Sequence, residues 1–138
     1  APLAPQVILE ITETGLVDEG GRAVVARVRE LGVRVAIDDF GTGVNGLAQL
    51  EDLEIDFLKI DQGFVRKIGS NAPGAKLVDA VVDIARALGV ATIAEGIETE
   101  AQAAYARAIG VDFAQGFLFS RPLPVDEFLG QLPARAGA

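Results

Sequence analysis

Three times along the chain, a helix-spaced apolar pattern ends in Gly-Val and gives way to a short apolar run closed by a polar residue. The repeats are Leu31-Gly32-Val33 leading to Asp38, Leu88-Gly89-Val90 leading to Glu95, and Ile109-Gly110-Val111 leading to Gln115. Glycine just past a helix is the usual left-handed cap, because it has no Cβ to clash at positive φ. The apolar run after it reads as a buried strand of a parallel sheet. The helices between are amphipathic. Val24, Val28 and Leu31 are expected on one face of the first. Leu77, Val78, Val81, Ala85 and Leu88 are expected on one face of the second, with Lys76, Asp79, Asp83 and Arg86 turned away. Thr99 with Gln102 three residues on has capping-box spacing for the third. The pattern predicts five strands, near 6–11, 33–37, 57–60, 90–94 and 111–115, a helical stretch at 47–50, a closing helix over 125–132 and a tail over 134–138.

Strands alternating with helices predict a parallel sheet of βα units. A closed (β/α)₈ barrel takes eight strands and about 250 residues. Five units therefore leave two architectures: an open doubly wound sheet, or part of a barrel.

Composition narrows the chemistry. The 138 residues are 50% hydrophobic and 23% charged, enough for one globular core. There is no Cys and no His, so disulfides, thiolate sites and imidazole bases are excluded, and any metal must be held by oxygen. The net charge of −8 argues against binding long nucleic acid. No apolar run approaches the ~20 residues of a membrane span and no signal peptide is visible, so no membrane contact and a cytoplasmic location are expected.

The polar residues that interrupt the strands all fall near strand ends: Glu10, Asp38 with Asp39, Lys59, Glu95 and Gln115. In a parallel sheet those ends share one rim, where α/β proteins place their sites. A single acid after a strand is most often a helix cap or a solvated loop residue. Asp38-Asp39 followed by Phe40-Gly41-Thr42-Gly43 resists that reading, since a cap needs one Asp. Lys59 between Leu58 and Ile60 resists it too, because a lysine in an apolar strand must meet an anion. Four carboxylates on one rim call for a cation, and oxygen donors of this kind suit Mg²⁺ or Mn²⁺. Glu13 and Glu98, each three residues after another candidate Glu, are expected to cap or support.

These residues resemble a known family. Leu9-Glu10-Ile11-Thr12-Glu13 is similar to the "ELTE" element of EAL domains, and AIDDFGTG at 36–43 to their aspartate pair and its loop. DFLKID at 56–61, IAEGIET at 93–99 and AQGFLFSRPLP at 114–124 resemble three further motifs in the same order. The resemblance implies a partial TIM-like (β/α) barrel with about five parallel βα units, and a metal-dependent cyclic di-GMP phosphodiesterase that hydrolyses its substrate to linear pGpG with Mg²⁺ or Mn²⁺. It implies metal-ligand roles for Glu10, Asp38 and Asp39, and contact of Glu95 with metal or its water. Lys59 would position or deprotonate the attacking water, Gln115 would neighbour it, and Glu13 would anchor the loop from Asp39 to Leu47. That loop reads DFGTGVNGL where the family usually reads DFGTGYSSL.

The family's Glu-Ala-Leu motif lies upstream of the "ELTE" element. Residues 1–138 are accordingly expected to be the C-terminal part of a single EAL domain, inactive alone and a homo-oligomer through its open sheet edges. The competing expectation is a non-catalytic cyclic di-GMP-binding or protein-interaction module derived from an EAL domain.

Overall fold

A computed structural model describes residues 4–12, 15, 19–40 and 54–131. After a short 3₁₀ turn come β1 (Ile8–Thr12), α1 (Glu19–Glu30), β2 (Arg34–Phe40), β3 (Phe57–Ile60), the one-turn α2 (Gln62–Val65), α3 (Leu77–Leu88), β4 (Ala91–Ala94), α4 (Glu100–Ile109), β5 (Phe113–Ala114) and α5 (Val125–Gln131). The predicted stretch at 47–50, Leu132 and the tail lie outside the described residues.

All five strands are parallel and pair in the order β1-β2-β3-β4-β5. A doubly wound sheet reverses its strand order at a switch point, whereas a barrel adds each strand beside the last. Sequential order therefore selects the barrel-like arc over the open sheet.

The strands bury one face under the helices. Val35, Ile37, Leu58, Ile60 and Ala94 form the core with Val25, Val78, Val81, Val82 and Ala85. Alternation puts Ala36, Asp38, Phe57, Lys59 and Ile93 on the other face. The glycine caps are where the sequence places them, with φ of 79° at Gly32, 70° at Gly89 and 89° at Gly110. The capping box of α4 is complete: Thr99 Oγ1 accepts the Gln102 amide at 3.2 Å, and Gln102 Oε1 accepts the Thr99 amide at 3.0 Å.

Several expectations need correction. In α1 the buried residue is Val25, with Val28 packed beside it, while Val24 and Leu31 are 52% and 64% exposed. Two adjacent valines satisfy a helical period equally well, and packing chooses between them. In α3 the face is Val78, Val81, Val82 and Ala85, and Leu77 is exposed. β1 is shifted to 8–12, and β5 is only two residues long. β2 runs on through the acids to Phe40, because it contains a bulge: Ile37 pairs with Leu58 but Phe40 pairs with Ile60.

The starting ends of the strands are fastened by two acids outside the predicted site. Asp56 Oδ2 accepts the Val35 amide at 2.8 Å and Arg29 Nη1 at 2.5 Å. Asp112 Oδ2 accepts both the amide and the hydroxyl of buried Thr92, at 2.8 and 2.9 Å. Each acid precedes a Phe that opens a strand, a repeated Asp-Phe pair that was a usable signal. No helix among the described residues is long and apolar enough to cross a membrane.

Candidate functional site

At the opposite ends of the strands, β1, β2, β3 and the residue after β4 deliver four side chains to one place. Lys59 is 3% exposed, and its ammonium lies 2.6 Å from Glu10 Oε2, 3.3 Å from Asp38 Oδ1 and in direct contact with Glu95 Oε1. One oxygen from each of Glu10, Asp38 and Glu95 lies within 4.8 Å of the others. The expectation that acids more than eighty positions apart converge is met, because each is carried by its own parallel strand. Gln115, after β5, donates through Nε2 to the same Glu95 oxygen at 3.1 Å.

The electrostatics follow from burial and charge. Burial opposes the Lys59 ammonium, but the hydrogen bonds to Glu10 and Glu95 and the fields of Glu95 and Asp38 outweigh it, so its pKa is raised and it stays protonated. Burial pushes the Glu95 carboxyl up; Lys59 pulls it down, and Asp38 and Glu10 push it up again, leaving it above the ordinary carboxylate range.

The bulge explains how two consecutive acids both stay out of the core. In a regular strand Asp39 would follow Ile37 into the apolar core and Phe40 would face the acids. The extra residue reverses this: Phe40 is buried in the core, Asp39 is exposed, and its amide donates to Asp38 Oδ1 at 2.9 Å. Asp39 holds φ at +56°, the single non-glycine residue at positive φ among those described. Bulges and strained backbone of this kind concentrate at functional sites. Asp39 is not part of the three-acid group among the described residues.

Two glycines nest the rim loops. Gly96 leaves room for Gln62 Cβ, which a side chain there would meet at 2.7 Å. Gly116 lies directly against the Ile97 backbone, which exchanges hydrogen bonds with Gln115 O (3.1 Å) and the Leu118 amide (3.0 Å). Beside Glu95 and Gln115 opens a cavity of about 630 Å³, lined also by Arg66, Glu98, Phe117, Arg121 and Phe128. Arg121 stacks over Phe117 at 4.7 Å. Phe117 and Arg121 belong to the same 114–124 motif as Gln115, and their aromatic and cationic side chains were the usable signal for this cavity. Glu98 contributes its amide to Gln102 Oε1 at 2.8 Å, so its backbone belongs to the α4 cap while its exposed side chain borders the cavity. Glu13 lies outside the described residues.

Comparison with known proteins places this geometry. The chain is 44% identical over 125 residues to the probable cyclic di-GMP phosphodiesterase PdeN of Escherichia coli K12, covering 90% of this chain and 24% of that protein. Among solved structures it resembles the PaMucR phosphodiesterase in complex with c-di-GMP (TM-score 0.84, 37% identity, 91% of this chain and 51% of that one). It also resembles the manganese and c-di-GMP complex of Klebsiella pneumoniae BlrP1 (TM-score 0.76, 37% identity, 86% of this chain and 31% of that one). The chain thus spans about a quarter of the length of the curated relative and between about a third and about a half of these solved chains. The family model described as "EAL domain" matches residues 1–122, a span that contains every side chain of the rim cluster, and the chain belongs to the EAL domain family.

Proposed function

We propose that the chain is the C-terminal part of an EAL domain and supplies most of the metal and catalytic groups of a cyclic di-GMP phosphodiesterase that yields linear pGpG. The observation that carries this reading is the convergence of Glu10, Asp38 and Glu95 on Lys59. PdeN is named a probable cyclic di-GMP phosphodiesterase, and PaMucR and BlrP1 were solved with the dinucleotide, BlrP1 with manganese and with calcium.

The donor set fits a hard divalent cation: carboxylate oxygens within 4.8 Å of one another, in a chain with no His and no Cys. Glu10, Asp38 and Asp39 are the proposed ligands, with Glu95 as a ligand or hydrogen-bond partner of metal-site water, and Mg²⁺ or Mn²⁺ as the ion. When bound, the cation supplies positive charge against the attacked phosphodiester and makes water more acidic. The chain's own residues do the rest. Lys59, held protonated, donates to and orients the attacking water and the phosphate oxygens. Glu95, held by Lys59 and Gln115, is the proposed acceptor of the proton from that water. Gln115 fixes the Glu95 carboxylate, and Glu13 and Glu98 support the flanking loops. The adjoining cavity, with Arg66, Arg121, Phe117 and Phe128, offers cationic and aromatic surface to an anionic purine dinucleotide. Retention of the lysine and all the acids favours the enzyme over a binding-only module. β1 and β5 each pair on one side in the sheet, and self-association through those edges is part of the proposal.

The test is calorimetric titration of the 138-residue chain with MnCl₂ and then cyclic di-GMP, alongside chromatography for pGpG. The expected result is Mn²⁺ binding that Asp38→Asn abolishes, with no product from this chain alone. Absence of Mn²⁺ binding would overturn the proposed site. Product formation would support the activity and overturn the expected inactivity of the isolated chain.

A further inference from the structure

We infer that Lys59 is the resident counter-cation of the acid cluster, and that a divalent ion binds by displacing its ammonium from at least one of the three carboxylates. This rests on the metal-site reading above and concerns what that site must give up to be filled.

The ammonium touches one oxygen of each acid: Glu10 Oε2, Asp38 Oδ1 and Glu95 Oε1. Those same three residues form the candidate ligand group. Lys59 enters from an apolar strand, with Leu58 and Ile60 fully buried on either side, so its backbone is anchored and its side chain alone carries the charge to the acids. One ammonium cannot neutralise three carboxylates, so the cluster keeps net negative charge and still attracts a cation. A divalent ion that takes one oxygen from each acid must lie within a few ångströms of the ammonium, where like charges repel strongly in a partly buried site. Both cations cannot hold all three acids. Lysine suits the exchange, since it is a point charge on a flexible stem with three rotatable donors. Glu95 is the pivot: its Oε1 is shared by Lys59 and Gln115 Nε2, so Gln115 holds the carboxylate when the ammonium moves.

Two consequences separate this from a merely structural ion pair. Without Lys59, the three acids repel one another and the fold weakens unless metal is supplied. Without Lys59, metal meets no competitor and binds more tightly. The experiment compares wild type and Lys59→Met by thermal denaturation in EDTA and in MnCl₂, and by MnCl₂ titration calorimetry. The expected result is a lower melting temperature for Lys59→Met in EDTA, a larger gain from Mn²⁺ than in wild type, and Mn²⁺ affinity raised at least about tenfold, or ~1.4 kcal/mol. Equal or weaker Mn²⁺ binding by Lys59→Met overturns the inference while leaving the metal site standing. No Mn²⁺ binding by either protein overturns the metal reading and this inference with it. If Lys59→Met does not fold even with Mn²⁺, side-chain nitrogen NMR of wild type during a MgCl₂ titration decides. An ammonium signal that shifts with the calorimetric binding curve supports displacement, and a static one overturns it.

Discussion

Replacing Gly116 by alanine tests whether the rim is held together by backbone contact. The new Cβ would lie 2.7 Å from the carbonyl carbon of Ile97 and closer still to that residue's oxygen and nitrogen. These are backbone atoms of a fully buried residue, so nothing on that side can swing away. Overpacking of this kind costs about 1–3 kcal/mol. Relief by separation breaks at least one of the bonds from the Ile97 amide to Gln115 O and from the Leu118 amide to Ile97 O, each worth about 1 kcal/mol. A total near 3 kcal/mol is expected. With an unfolding entropy of about 2.1 cal/mol/K per residue, the 138-residue chain loses about 10 °C in melting temperature. Circular dichroism melts of Gly116→Ala beside Gln115→Ala read the effect. The latter removes an exposed side chain with one hydrogen bond to Glu95 and should cost less than about 1 kcal/mol. A Gly116→Ala protein that melts within about 2 °C of wild type would refute the interlock, as would an equal loss from Gln115→Ala.

At Asp39, φ of +56° predicts that Asp39→Gly is more stable than Asp39→Ala by about 1 kcal/mol, because both lose the carboxylate and only alanine pays for the left-handed backbone. Urea midpoints in which alanine equals or exceeds glycine would contradict that geometry. Tyr105 is the sole tyrosine in a chain without tryptophan, so phenolate absorbance reports it alone. Its hydroxyl donates to Asp79 Oδ1 at 2.7 Å, and that bond, with burial and the Asp79 charge, raises its pKa above the usual value of about 10. The associated stability is fully present below that usual value and is lost as pH rises through the higher folded midpoint. Asp79→Ala should bring the spectroscopic midpoint down towards that of a free tyrosine, and coincident titrations of the two proteins would refute the contact.

The parts of the fold legible in the sequence were those written in single residues with one conformational meaning. Gly32, Gly89 and Gly110 mark helix ends because few other residues accept their φ, and Thr99 with Gln102 marks a helix start. β3 was placed at its observed limits because apolar residues surround one lysine that has to reach an anion. Glu10, Asp38 and Glu95 were legible as a group because parallel strands deliver their ends to one rim. What stayed hidden depends on choices between equivalent patterns. Val24 and Val25 fit the same period, and only packing against the sheet selects one. The bulge at Asp38–Asp39 leaves no trace in an apolar-polar string, since the inserted residue is itself one of the acids. The cavity beside Gln115 is assembled from α2, the loops after β4 and β5, and α5, segments distant in sequence that no local pattern links.

The alternation of the strands has a consequence for length. Between a helix-ending glycine and its rim residue, the number of positions decides which face each side chain meets. Removing one residue between Gly89 and Glu95 would carry that carboxylate among the apolar helices and turn Ala94 and Thr92 to the open side. Substitution within these intervals is therefore a question of size and polarity, whereas a single-residue deletion would invert the sheet locally and scatter the charges that the rim collects.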